Sequence, residues 1–338
     1  MKAYGVWGVC PGEELLRRFE GKVVDIVSSK GKCFQHMQLA NVMWSYAELG
    51  IRPKERILWV MGDMVASEAR NFTSIDISNV MWAYAKMDIV PEEELILVLE
   101  AQTLKLSSMV DSDFTCWSIS KTFWAYATWG KKPPTVLVER LEALICLGIN
   151  EFIPQDIAET MWAYATLGMA PGEDLMGKIE RRATSMGLQR FMCNDVSKLL
   201  WAYAVMNVCP GQELLSRLLC NAVEKLRKEK DSSDDLRGED QQLRIFQLRH
   251  FVLSYQQRGW GEGQDNALFI SLRNELEGKE VAQDKAHQGM AGEQQHAPVH
   301  DFKVRHGLQG VCIHLCLCVF GCACLCACVC FLLSWFCS

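Results

Sequence analysis

The sequence predicts an all-α fold, a right-handed α-solenoid of helical hairpins with a period of about 38–42 residues, and three observations predict it. Trp-Ala-Tyr-Ala or a near copy recurs with tryptophans at Trp44, Trp82, Trp124, Trp162 and Trp201, at spacings of 38, 42, 38 and 39 residues. A phenylalanine stands ten residues before each (Phe34, Phe72, Phe114, Phe152, Phe191), and a proline nine after it (Pro53, Pro91, Pro133, Pro171, Pro210). A fixed frame around variable positions is the signature of stacked repeats.

Each unit reads as two helices. In the unit around Trp162, Pro154 suits a helix start, where its missing N–H costs nothing, and Ile157, Met161 and Ala165 follow at helical spacing. Gly168 suits a left-handed C-cap, so the first helix is expected over Pro154 to Leu167. Pro171 then opens the second helix, with Glu173 and Asp174 in its first turn and Lys178, Arg181 and Arg182 further along, as the macrodipole prefers.

In chain order, residues 1–226 read as helical repeats, of which the first is truncated and five are well formed. Ala3-Tyr4-Gly5-Val6 aligns with Ala202-Tyr203-Ala204-Val205, so the chain opens in the middle of a unit and the natural protein is expected to continue upstream. Residues 227–276 hold a charged loop and a degenerate capping repeat, with Leu243, Leu253 and Tyr255 in the phenylalanine, tryptophan and tyrosine slots. Residues 277–310, rich in Gln, Gly, Lys, Glu and His without periodicity, read as a disordered linker.

The tail, residues 311–338, carries no Asp, Glu, Lys or Arg and nine of the sixteen cysteines. It is long enough for a transmembrane anchor, while its Cys-x-Cys alternation equally fits a low-complexity read-through. A thiolate metal cluster suits it less, lacking polar spacers, and no metal or cofactor is expected. The other seven cysteines scatter among the repeats and read as reduced.

On a wheel at 100° per residue, the positions −5, −4, −1, +2 and +3 from the tryptophan form the core arc, with the five tryptophans as structural repeat core. Positions −7, −6, −3, +1 and +4 form a stripe that holds most of the variation in polarity. At −3 it reads Asn41, Asn79, Lys121, Glu159 and Lys198, and at +4 Glu48, Lys86, Thr128, Thr166 and Val205.

The net charge of −6 argues against clinging to nucleic acid by bulk charge. No P-loop, His-Glu-x-x-His or Cys-x-x-Cys pair occurs, and the chain is expected not to be an enzyme. Asp76, Asp156 and Asp195 share the −6 position, which N-terminal helix capping explains.

The pattern Phe-x-Pro-Gln-Asp-Ile-Ala-x-Thr-Met-Trp-Ala-Tyr-Ala-Thr-Leu-Gly-x-x-Pro-Gly-Glu resembles the octotricopeptide repeats of algal and protist organelle proteins, and is similar to the helical repeats of FAST-kinase-like and RAP-domain proteins. The resemblance covers residues 3 to 276. It implies a solenoid in mitochondrion or plastid that binds single-stranded organelle RNA on a concave face, alongside other RNA-processing proteins, and acts in processing, stability or translation. Two departures stand out: helix B opens with Pro-Gly-Glu-Asp, Pro-Glu-Glu-Glu or Pro-Pro-Thr-Val rather than Pro-Pro-Pro-Glu-Trp, and no RAP domain follows the last unit.

If each hairpin presents two side chains per nucleotide, the −3 and +4 residues become the expected RNA-binding set: Asn41, Glu48, Asn79, Lys86, Lys121, Thr128, Glu159, Thr166 and Lys198. The tryptophan borders this stripe and offers a stacking surface. A protein-binding scaffold without nucleic-acid contact is the competing reading, which the acidic charge favours. The tail alone raises membrane association.

Overall fold

Six residues, one in each of six units, sit in the left-handed region at the same place, six positions after the tryptophan slot: Gly8, Gly50, Asp88, Gly130, Gly168 and Asn207, with φ between 58° and 65°. There the chain leaves one helix and turns toward the next. At Gly168 the turn is closed by Gly168 N–H donating to the Ala165 carbonyl and Met169 N–H to the Tyr164 carbonyl, so two otherwise orphaned helix-end carbonyls are satisfied. The buried proline follows three residues later in every unit.

The computed structural model describes residues 1–28, 34–109, 112–231, 238–258, 260 and 267–278. Among these residues the structure is helical throughout with no strand. The elements are α1 (Lys2–Trp7), α2 (Glu13–Ser28), α3 (His36–Glu48), α4 (Glu55–Glu68), α5 (Ser74–Lys86), α6 (Glu93–Ser107), α7 (Cys116–Trp129), α8 (Thr135–Gly148), α9 (Pro154–Thr166), α10 (Glu173–Ser185), α11 (Cys193–Met206), α12 (Gln212–Asp231), α13 (Gly238–Gln257) and α14 (267–278). The first helix of the Trp162 unit ends one residue short of expectation. Pro171 also stands outside the second helix: Gly172 is its N-cap and Glu173 its first residue, so the proline fixes the approach to the helix rather than its first turn.

The odd-numbered helices pack in sequence from α1 to α13, and the even-numbered ones from α2 to α12 in a second layer. This packed array is an α-solenoid. Small residues let the odd layer close up: Ala83, Ala125, Ala163 and Ala202 at +1, and Ala47, Ala85, Ala127, Ala165 and Ala204 at +3, are all within 1% of complete burial. Phe72, Phe152 and Phe191 plug the connections, and Phe34 and Phe114 are half-buried in the same slot.

Part-buried hydrogen bonds stitch neighbouring units. Tyr126 Oη donates to Glu100 at 3.0 Å, Tyr164 Oη to Glu142 at 2.8 Å, and Tyr203 Oη to Glu180 at 3.2 Å. Each glutamate lies 18 residues after one tryptophan and grips the tyrosine of the next unit. Glu142 and Glu180 also accept from Gly172 N–H and Gly211 N–H, at the start of the next even helix. Burial and the adjacent carboxylate push all three phenols far above their ordinary value. Gly62 occupies the equivalent site in the Trp44 unit, and the Tyr84 hydroxyl would lie 3.1 Å from any Cβ placed there.

The last described helices pack against those before them. Phe251 and Tyr255 are buried, Tyr255 stacks on Phe269 of α14 at 4.5 Å between ring centroids, and Arg227 of α12 pairs with Glu275 of α14 at 2.8 Å. The charged run begins as α12, which continues to Asp231. The linker beyond 278 and the tail at 311–338 lie outside the described residues. Among the described residues no helix is long and apolar enough to cross a membrane.

Candidate nucleic-acid interface

The face of the odd layer left uncovered is narrower than the wheel suggests and is displaced toward the tryptophan. Each of α3, α5, α7, α9 and α11 has odd neighbours on two sides and an even helix on a third. Ser45 and the alanines at +1 are therefore buried, and so are Asp76, Asp156 and Asp195 at −6. Position +1 leaves the expected stripe, and so does −6 outside the Trp44 unit, where Gln38 is exposed. What remains open is −7, −3, 0 and +4, a sector about 60° wide at 100° per residue.

The tryptophans accordingly divide between core and open face. Trp82, Trp162 and Trp201 are buried, whereas Trp44 and Trp124 are half-buried. Trp82 and Trp124, one unit apart, hold their rings 6.4 Å apart at a tilt of 38°. In the last unit Leu253 takes the same slot and is 47% exposed, a direct sign that the slot borders solvent.

The expected RNA-binding residues take three kinds of place. Glu48 and Lys86 are exposed, while Asn41, Asn79, Thr128, Thr166 and Lys198 are half-buried. Lys121 and Glu159 are buried, at 8% and 7% exposure. They come from adjacent helices α7 and α9, their charged ends stand 3.7 Å apart, and the rings of Trp82 and Trp117 flank Lys121.

Lys121 Nζ lies 4.8 Å from the centroid of Trp82 and 5.8 Å from that of Trp117. Such a position over two ring faces is a cation–π arrangement. Burial holds the Lys121 ammonium below its ordinary value; Glu159 and Glu48 oppose that shift, and Lys198 and Lys86 add to it. Residues from the Trp44, Trp82, Trp124, Trp162 and Trp201 units thus share one electrostatic neighbourhood. Glu159 also accepts from Gln155 Nε2 at 2.9 Å.

The polar groups nearest the open sector differ in what satisfies them. Thr128 Oγ1 donates to the Trp124 carbonyl at 2.9 Å, whereas the Thr166 hydroxyl is buried with no partner among the described residues. The −6 carboxylates are committed locally: Asp76, Asp156 and Asp195 accept from the Thr73, Ile153 and Met192 N–H groups at their helix starts. Two of them also join neighbouring units. Asp76 meets His36 Nδ1 at 2.8 Å, and Asp156 accepts from Ser120 Oγ at 3.2 Å.

Sequence reasoning missed two residues of this face. Trp117 stands at −7, inside the open sector, where the spacing from Trp124 was enough to find it. His250 stands at −3 from Leu253 and so continues the row of Asn41 to Lys198, its ring 6.4 Å from that of Trp201. Burial, reinforced by Arg258, holds the His250 imidazole below its ordinary value, so it is neutral on this face near pH 7.

No curated protein matches the chain. Residues 5–140, which run from α1 into α8, match the family model described as the Tbc2 translation factor, N-terminal domain, and over that span the chain is similar to that domain.

Proposed function

We propose that this protein binds single-stranded organelle RNA along the open sector of its odd-numbered helices, and through that binding governs the translation, stability or processing of the transcript. The observation that carries the reading is the row at −3 and +4. Successive units hold variable polar or charged groups there, Val205 apart, and the charges of five units act on Lys121 beside the rings of Trp82 and Trp117. Base stacking on aromatic faces combined with per-repeat polar contacts is how helical-repeat proteins read single strands. Similarity to a translation-factor domain over residues 5–140 supports the same role. The role is one of binding rather than catalysis.

Asn79, Lys86 and Lys198 are the residues to change, because they are not buried as Lys121 is. Alanine at all three should weaken single-stranded RNA binding measured by fluorescence anisotropy. The melting temperature should hold, since substitutions away from the core usually stay within about 0.5 kcal/mol each. Unchanged affinity would place the RNA elsewhere.

A protein-binding scaffold is the second reading, and one observation favours it. Trp59 and Leu97, at equivalent positions of the adjacent helices α4 and α6, are 65% and 56% exposed on the even layer. Changing both to serine separates the readings, because it should leave RNA affinity untouched if the odd layer is the interface.

A further inference from the structure

Trp117, Lys121 and Trp124 fall at i, i+4 and i+7 on α7 and so share one face of that helix. Among the described residues, the partners of the Lys121 ammonium are two tryptophan faces and the Glu159 carboxylate at 3.7 Å, beyond hydrogen-bond range. Among the described residues no protein acceptor lies within hydrogen-bond range of its three N–H donors. Glu159 accepts one hydrogen bond, from Gln155, out of about four that a carboxylate can take. Lys121 Nζ and Glu159 Oε2 are not fully enclosed, so the remaining donors and lone pairs of this largely buried pair stay within reach of solvent or of a ligand.

The chemistry of the cluster narrows what can fill them. An aromatic enclosure beside a carboxylate suits a cation, but here Lys121 already occupies it. A phosphate would meet Glu159 within 3.7 Å of the ammonium and be repelled. A neutral planar group that offers an acceptor to the ammonium and donors to the carboxylate meets both demands, and it can stack on the half-buried ring of Trp117 or Trp124.

We propose that this cluster is a guanine subsite, in which Glu159 accepts from the adjacent N1–H and N2–H groups, Lys121 donates to O6 or N7, and a tryptophan stacks on the base. Guanine alone among the four RNA bases sets two N–H donors side by side for the two carboxylate oxygens, and lysine to O6 and N7 is a recurrent guanine contact. The assignment rests on the RNA-binding reading above and adds to it a base and a position, the junction of the Trp124 and Trp162 units.

The test is anisotropy with the full chain and labelled oligouridines that carry one central guanosine, adenosine or inosine. Inosine keeps O6, N7 and N1–H but lacks the N2 amine, so it probes the Glu159 contact without altering the protein. Guanosine should bind about tenfold more tightly than adenosine or inosine, the scale of one well-formed base contact. Glu159→Gln should bring guanosine down to the adenosine level, with its melting temperature checked alongside. Equal affinity for guanosine, adenosine and inosine in the unaltered protein would overturn the subsite and leave RNA binding standing. Failure to bind any of these strands would overturn both.

Discussion

At the scale of the residue, Lys121 and Glu159 behave as a coupled unit, and their energetics can be checked without any ligand. Removing one partner leaves the other charge buried and uncompensated. Lys121→Met alone should therefore cost about 3 kcal/mol in a denaturant titration, while Lys121→Met with Glu159→Met should return close to the unaltered protein. The pH dependence carries a sign as well. The folded state holds Lys121 below its ordinary value of 10.5, so it binds fewer protons than the unfolded chain as pH approaches that value, and stability from this group rises with pH across that window. The doubly substituted protein should lack that rise. A pair that apolar residues replace at little cost in stability is explained by recognition rather than by folding.

At the scale of the element, the tyrosine–glutamate clasp is the device that locks one hairpin onto the next. Glu142→Ala would orphan the Tyr164 hydroxyl, while the exposed Gly172 N–H can turn to water, and should destabilise by about 1–3 kcal/mol in thermal or urea unfolding. Tyr164→Phe should cost less, since it removes donor and demand together. This clasp also shows where the sequence stops being legible. The phenylalanine and proline recur in all five well-formed units and can be read directly, since each answers to local backbone or packing demands. The glutamate recurs as Glu20, Glu100, Glu142 and Glu180 but gives way to Gly62 and Leu219, and a glutamate on an amphipathic helix looks like any solvated one. The open sector was misjudged for a different reason. A helical wheel gives the angle between positions but not the number of neighbours, so Ser45 and Asp156 looked as free as Lys86 until the two flanking helices were in place.

At the scale of the whole array, stability is a sum of unit and neighbour terms, so a local insult should stay local. Ala163 lies fully buried on α9, between α7 and α11. Ala163→Leu overpacks that contact and should cost about 1–3 kcal/mol there. Hydrogen exchange should show the loss concentrated in α7 to α11, with amides in α3 to α5 exchanging as before. A uniform loss of protection would mean that the array unfolds as one cooperative block. The odd-layer row that carries the recognition proposal depends on this regularity, because one misplaced helix shifts the spacing of every reader beyond it.

The clasps also define where this chain can be cut and rejoined. Sequence repeats begin at the phenylalanine, yet a break there separates Glu142 from Tyr164 and Glu180 from Tyr203. A break at the left-handed residue leaves each even helix with the odd helix that follows it, and the clasp stays inside the cassette. Shuffled or transplanted arrays should therefore be joined at Gly50, Asp88, Gly130, Gly168 or Asn207. The cassette that recombines cleanly is out of phase with the motif that repeats.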